Sequence, residues 1–191
     1  YITRYGAPRF AQGCRLDSAE IPTENPYRPI TVKLSFLMPE GYFLSVDGFG
    51  QNIAAILPRC GYPYAALAGT GRIYGVYAYA QTVQLDNDGD ADAYCKAVFT
   101  ARGEVVNPKL TANGAYVRVL ATLAAGDVLV VDGRTRSLTL NGQNAAAKLD
   151  RHSSFDGIVF ALGANAVGFS ADIGANLLDV YVYYNKRYMG T

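Results

Sequence analysis

Apolar and polar residues alternate with a period of two along most of the chain. Ile30, Val32, Leu34, Phe36 and Met38 are interleaved with Thr31, Lys33 and Ser35, the pattern of a strand with one buried face. Pro39-Glu40-Gly41 stops it. The same reading predicts strands at 72–85, 93–101, 115–122, 127–132, 134–141, 157–162, 166–171 and 178–188. Turn signals separate them at fairly even spacing: Asp88-Gly89, Asn113-Gly114, Asp132-Gly133, Asn141-Gly142 and Gly163-Ala164-Asn165. Many short strands with this punctuation predict an all-β, antiparallel β-sandwich rather than alternating strands and helices. Helix is expected only at 51–57, before Pro58, with a single turn near 148–154. Alternation assigns Val128, Val130, Leu138, Leu140, Val167, Phe169, Val180 and Val182 to the core. A slip of one residue would turn each of them to the opposite face.

Residues 1–29 break the pattern. Arg4, Arg9, Arg15 and Arg28 stand among Pro8, Pro22, Pro26 and Pro29, which reads as loop with short extended pieces. The sequence opens on Tyr1 without a signal-peptide pattern. This stretch is expected to be the end of something N-terminal to it.

Composition narrows the function classes. A chain of 191 residues holds one sizeable domain with room for a fragment of a second. Lys+Arg 17 against Asp+Glu 16 leaves a net charge of +1, which argues against a nucleic-acid surface working by bulk charge. No apolar run approaches the roughly 18 residues of a membrane-spanning helix. Charged residues are only 17% of the chain, and 15 tyrosines occur with no tryptophan. Sparse charge and abundant tyrosine suit a protein that hides surface in contacts, because tyrosine uses both ring and hydroxyl at interfaces.

One histidine and three widely spaced cysteines exclude more. Cys14, Cys60 and Cys95 form no Cys-x-x-Cys pair, so neither a zinc ribbon nor a dithiol redox centre can be built from them. His152 is the only histidine a catalytic triad could use. Ser153 and Ser154 beside it lack the Gly-x-Ser-x-Gly elbow, and the glycines at 61, 69, 71 and 75 lack a phosphate-loop ending. Glu20 with Glu24, or Asp150 with Asp156, could pair for glycoside hydrolysis, but read better as surface carboxylates. Asp86, Asp88, Asp90 and Asp92 offer the hard oxygens calcium prefers. Gly89 nevertheless falls fourth rather than sixth in the loop, and the twelfth place is Ala97. A polar hairpin turn between strands ending near Leu85 and starting near Ala93 is the better reading. No enzyme signature and no cofactor site emerge. Tyr62-Pro63-Tyr64 and the series Tyr74, Tyr77 and Tyr79 fit either a sandwich core or an exposed aromatic face for a sugar or a protein.

The second half carries an ordered set of weak markers. Leu85, Asn87, Gly89 and Ala93 frame one turn, and Asn107-Pro108 follows. Leu123, Gly126-Asp127 and Asp132 come next, then Ser137-Leu138-Thr139-Leu140-Asn141-Gly142. Leu149-Asp150 precedes Ser154-Phe155, Gly163, Asn165, Val167 and Phe169 share a segment, and Arg187-Tyr188-Met189-Gly190 ends the series. In order and spacing these resemble the siphovirus-type tail components, the distal tail proteins of long-tailed bacteriophages and prophages. The resemblance implies a galectin-like (jelly-roll type) sandwich over 41–191, with 1–40 as the end of a ring-forming N-terminal β domain. It implies a non-enzymatic virion protein at the tail tip, assembled in the bacterial host cytoplasm. Its partners would be the tail tube, baseplate hub and receptor-binding proteins, with a homo-hexamer in the full-length protein and no nucleic-acid or membrane partner. That compartment would keep all three thiols reduced. Under this reading Tyr62, Tyr64, Arg4, Arg9 and Arg15 contact neighbouring tail subunits, since Tyr and Arg dominate binding hot spots. The alternative is a carbohydrate-binding module for host-surface attachment. The galectin His, Arg and Trp set does not carry over, because the chain has no Trp and His152 reads as loop.

Overall fold

The computed structural model describes residues 2–4, 7–21, 32–46, 48–58, 75–79 and 82–189. Its first strands are Ile2–Arg4 (β1), Ala7–Phe10 (β2), Arg15–Glu20 (β3), Lys33–Leu37 (β4), Phe43–Ser45 (β5), Phe49–Asn52 (β6), Ala54–Pro58 (β7) and Gly75–Tyr79 (β8). The middle of the chain supplies Thr82–Asn87 (β9), Ala93–Ala101 (β10), Val105–Val106 (β11), Lys109–Ala112 (β12), Ala115–Arg118 (β13) and Thr122–Leu123 (β14). Val128–Asp132 (β15), Ser137–Leu140 (β16), Gln143–Asn144 (β17), Val159–Phe160 (β18), Gly163–Ser170 (β19), Leu178–Tyr184 (β20) and Arg187–Tyr188 (β21) complete the set. Single 3-10 turns lie at Ala146–Lys148 and Ala175–Leu177.

Two antiparallel sheets make the sandwich. One runs β17-β16-β15-β10-β20-β6, with β18 pairing the start of β10; the other runs β13-β12-β19-β9. The nine-residue β10 is central, and its inward positions are Ala93, Cys95, Ala97, Phe99 and Ala101, all essentially buried. Register aligns the inner face in rows. Leu138, Val131, Ala97 and Val182 form one, and Leu140, Leu129, Phe99 and Val180 the next. From the other sheet Leu85, Leu110, Ala112, Val117, Val167 and Phe169 close on these rows.

Apart from these two sheets, β1-β2-β5-β21 form a small sheet, while β3 pairs with β4, β7 with β8 and β11 with β14. Consecutive strands link the small sheet to the large one. β5 and β6 lie on one side of the junction and β20 and β21 on the other, so an antiparallel ribbon passes from sheet to sheet. Ser45, buried at the crossing, fastens it. Its N–H donates to the Lys186 carbonyl at 3.0 Å, and its hydroxyl accepts the Lys186 N–H at 3.1 Å. The Ser45 carbonyl accepts from Asn185 Nδ2 at 3.0 Å.

The all-β antiparallel sandwich follows the sequence, but several elements differ. The segment 51–57 is not helical; it is the end of β6 and most of β7, joined at the buried Ile53, whose N–H donates to Val180 at 2.9 Å. Pairing of 51–52 with β20 and of 54–57 with β8 overrides its local pattern. The turn expected near 148–154 forms slightly earlier, at Ala146–Lys148. β4 exists, but it has no buried face: Leu34 and Phe36 are exposed, because only β3 pairs with it. The acidic loop at 86–92 is not a hairpin, since β9 pairs with β19 whereas β10 pairs with β15, β18 and β20. It carries the chain from one sheet to the other.

In β15 the inward residues are Leu129 and Val131, not Val128 and Val130, which are half-buried. Leu140, at the hairpin end, is also only half-buried, while Leu138, Val167, Phe169, Val180 and Val182 are core as expected. We expect Leu129→Ala to cost about 2–5 kcal/mol by urea denaturation, because burial is lost and a cavity is left. Val130→Ala should cost well under half of that. Equal losses would contradict this phase.

Candidate functional site

The junction between the sandwich and the small sheet gathers aromatic and charged side chains. Arg187 enters it from β21, where its guanidinium carbon stands 3.9 Å from the Tyr42 ring centre and 4.9 Å from that of Tyr94. Such contacts attract the guanidinium charge to the ring faces. Arg187 Nη1 also donates to the Asp92 carbonyl at 3.1 Å. Arg9, from β2, covers the Tyr188 ring at 3.8 Å.

The acidic loop is bound into this junction. The Asp90 N–H donates to the Arg187 carbonyl at 2.7 Å, and an Asp90 carboxylate oxygen accepts the Met189 N–H at 3.0 Å. Tyr184 Oη donates to the Asp86 carbonyl at 2.9 Å, and Lys186 pairs with the Asp88 carboxylate. The Lys186 hydrogen bond holds the Asp88 carboxyl below its ordinary value. Burial opposes the Lys186 charge, but Asp88 outweighs it and the ammonium is held above its usual range. A Cβ on Gly89 would lie 2.8 Å from the Arg187 carbonyl oxygen, so only glycine allows this approach. Asn87, buried, fixes the loop's entry by donating to Phe160 and Ala91 carbonyls at 2.9 and 3.1 Å. The four aspartates are therefore spread along a docked crossover. Among the described residues, no three His, Cys, Asp or Glu side chains gather where they could hold a metal ion.

Beside the junction a cleft of about 220 Å³ opens, lined among others by Tyr94, Lys96, Asp132, Arg134, Tyr183 and Arg187. Arg134, in the turn after β15, binds the side chains of both Gln12 and Glu40. Those residues flank the β3–β4 hairpin, so Arg134 grips its base. The hairpin itself is exposed along both strands, with Leu16, Ile21, Val32, Leu34, Phe36 and Leu37 open to solvent. Charges of both signs line the cleft.

The other expected site residues are dispersed. Tyr62, Tyr64 and Tyr74 lie outside the described residues, while Tyr77 and Tyr79 belong to β8. Arg4 ends β1, and Arg15 is exposed at the start of β3. The exposed His152 donates its backbone N–H to Asp150 at 3.1 Å. The Ser153 hydroxyl is engaged in the same turn with the Arg118 backbone. Asp150 and Asp156 face Arg118 and Arg136, respectively, rather than each other. Glu20 pairs with Lys33, and Glu24 lies outside the described residues.

An all-β sandwich with a small flanking sheet and a docked crossover defines the class of fold. The sequence model of the siphovirus-type tail component, C-terminal domain, matches residues 88–188, and the chain belongs to that family. Among solved structures it is similar to the crystal structure of the Dit (gp 19.1) protein of phage SPP1, described as a paradigm of hub adsorption apparatus in Gram-positive infecting phages. Identity is 10% and the TM-score 0.61, over 91% of this chain and 58% of that one, a likeness of fold. No curated protein matches the chain in sequence. The markers that carried the resemblance are structural. Asp127 accepts from Asn141 Nδ2 at 2.9 Å, and Asn141 accepts the Val128 N–H at 2.9 Å. Buried Asn165 accepts from Asn113 Nδ2 at 2.7 Å and donates to the Ala161 carbonyl at 2.8 Å.

Cys14 and Cys95 are free thiols, and Cys60 lies outside the described residues. Burial, with a smaller contribution from the Asp132 charge, pushes the Cys95 thiol up from 9.0 to about 12. The folded state thus favours the neutral thiol. Its contribution to stability is complete below pH 9.0 and is lost as pH rises toward about 12. We expect alkaline unfolding in that window to be less steep in Cys95→Ala than in the parent. In native protein iodoacetamide should label Cys14 and spare Cys95; equal labelling would contradict the buried assignment.

Proposed function

We propose that this chain is part of a distal tail protein, a homohexameric ring at the virion tail tip that is assembled in the host cytoplasm. The ring joins the tail tube to the baseplate hub and receptor-binding proteins, and its role is structural rather than enzymatic. Residues 1–40 are the end of the ring-forming domain and 41–191 the galectin-like sandwich, tied together by the sheet that β1 and β2 build with β5 and β21.

The observation that carries this reading is the β3–β4 hairpin. A two-stranded ribbon is marginal by itself, and six large apolar side chains on or beside it are exposed. Among the described strands neither outer edge of this ribbon has a partner, an exposed edge of the kind that a neighbouring subunit covers. Arg134 holds the base and so aims the ribbon. Arg15 lies on it, and together with Arg4, Arg9, Tyr62 and Tyr64 it is proposed to contact neighbouring tail subunits.

Mass photometry and negative-stain imaging of the full-length protein test the proposal. A six-fold ring is the expected result. Leu34→Asp with Phe36→Asp should leave monomers that remain folded, and Arg134→Ala should weaken ring assembly by about tenfold, the loss of one charged anchor. A full-length protein that stays monomeric at high concentration, or rings indifferent to these changes, would overturn it.

A further inference from the structure

The outer face of the large sheet carries a second feature. Leu178, Val180 and Val182 point inward along β20, which turns Tyr181 and Tyr183 outward. Their rings stack side by side, with centres 5.5 Å apart and planes 25° apart, and they are 42% and 39% exposed. Gly50 of β6 lies opposite Tyr183 in the ladder. A Cβ there would stand 2.9 Å from two atoms of the Tyr183 ring, so the ring rests on glycine backbone.

The same row continues from Tyr183 to Lys96 and Asp132. Lys96 Nζ and an Asp132 carboxylate oxygen are 4.0 Å apart, too far for a hydrogen bond. That gap fits a hydroxyl that accepts from the ammonium and donates to the carboxylate. The pair lines the 220 Å³ cleft beside Tyr183 and Tyr94.

We propose that this face, Tyr181 and Tyr183 with Lys96 and Asp132, is a saccharide-binding site for a neutral glycan. The rings would stack against the C–H face of a pyranose, and the Lys96–Asp132 gap would take one of its hydroxyls. Lining charges of both signs, Lys96, Arg134 and Arg187 against Asp132 and Glu40, disfavour a polyanion. The mixed polar lining is unlike the continuous apolar groove that an amphipathic peptide helix requires.

The test titrates the trisaccharides of β-1,4-glucose, β-1,4-galactose and β-1,4-N-acetylglucosamine into full-length protein by calorimetry and saturation-transfer NMR. Binding of at least one at millimolar strength or better is expected. Tyr183→Ala should weaken it by about tenfold or more, Tyr183→Phe should largely preserve it, and Lys96→Met should weaken it with the rings intact. Three results would overturn the proposal. One is no binding of any of the three at about 10 mM. Another is binding indifferent to both Tyr183→Ala and Lys96→Met. The third is loss of ring assembly in Tyr183→Ala without glycan binding by the parent, which would make the face a subunit interface.

Discussion

Small side chains on the inner face of β10 set the spacing of everything around them. Four of its five inward residues are Ala or Cys, and only Phe99 is large. Interiors are close-packed, so a central strand this slim must be filled from both neighbours and from the opposite sheet. Val131 and Val182 flank Ala97, and Leu129 and Val180 flank Phe99. Leu110 and Phe169 pair across the ladder between β12 and β19 and complete the core from the other side. Enlarging any of those alanines would push the sheets apart rather than fill a space.

The sheets that β10 aligns are held at their corners by polar side chains. Asn107, Asn113 and Asn141 adopt left-handed backbone conformations at turns, and each also makes a side-chain hydrogen bond. Asn87 and Asn165 are fully buried and satisfied by backbone carbonyls. A buried amide without partners is costly, so these positions accept few other residues. The fold is shared with a protein only 10% identical to the chain.

Much of this was legible in the sequence. Alternation and turn dipeptides fixed the class and most strands of the second half. Phase in β15 was not legible from Val128-Leu129-Val130-Val131, where every position is apolar. Asp132 held the missing signal, because a carboxylate at the strand's end faces outward to Lys96 and turns Val130 outward with it. The Tyr181 and Tyr183 face was equally readable once Val180 and Val182 were set inward. β4 failed for another reason: period two identifies a strand face but says nothing about what covers it. The stretch 51–57 has helical spacing, and only pairing with distant strands decides against it, 51–52 with β20 and 54–57 with β8.

The ribbon of β5–β6 against β20–β21 has a mechanical consequence. Tension entering through the small sheet runs along these strands, one of which, β20, is bonded directly to β10. Pulled lengthwise, the hydrogen bonds of the ribbon bear the load together in shear; pulled apart from one end, they would yield one at a time like a zip. Ser45 and the docked Arg187 stand at the bend where those two modes diverge, and they hold it closed. A domain loaded through its small sheet can in this way be tugged without its core being unthreaded.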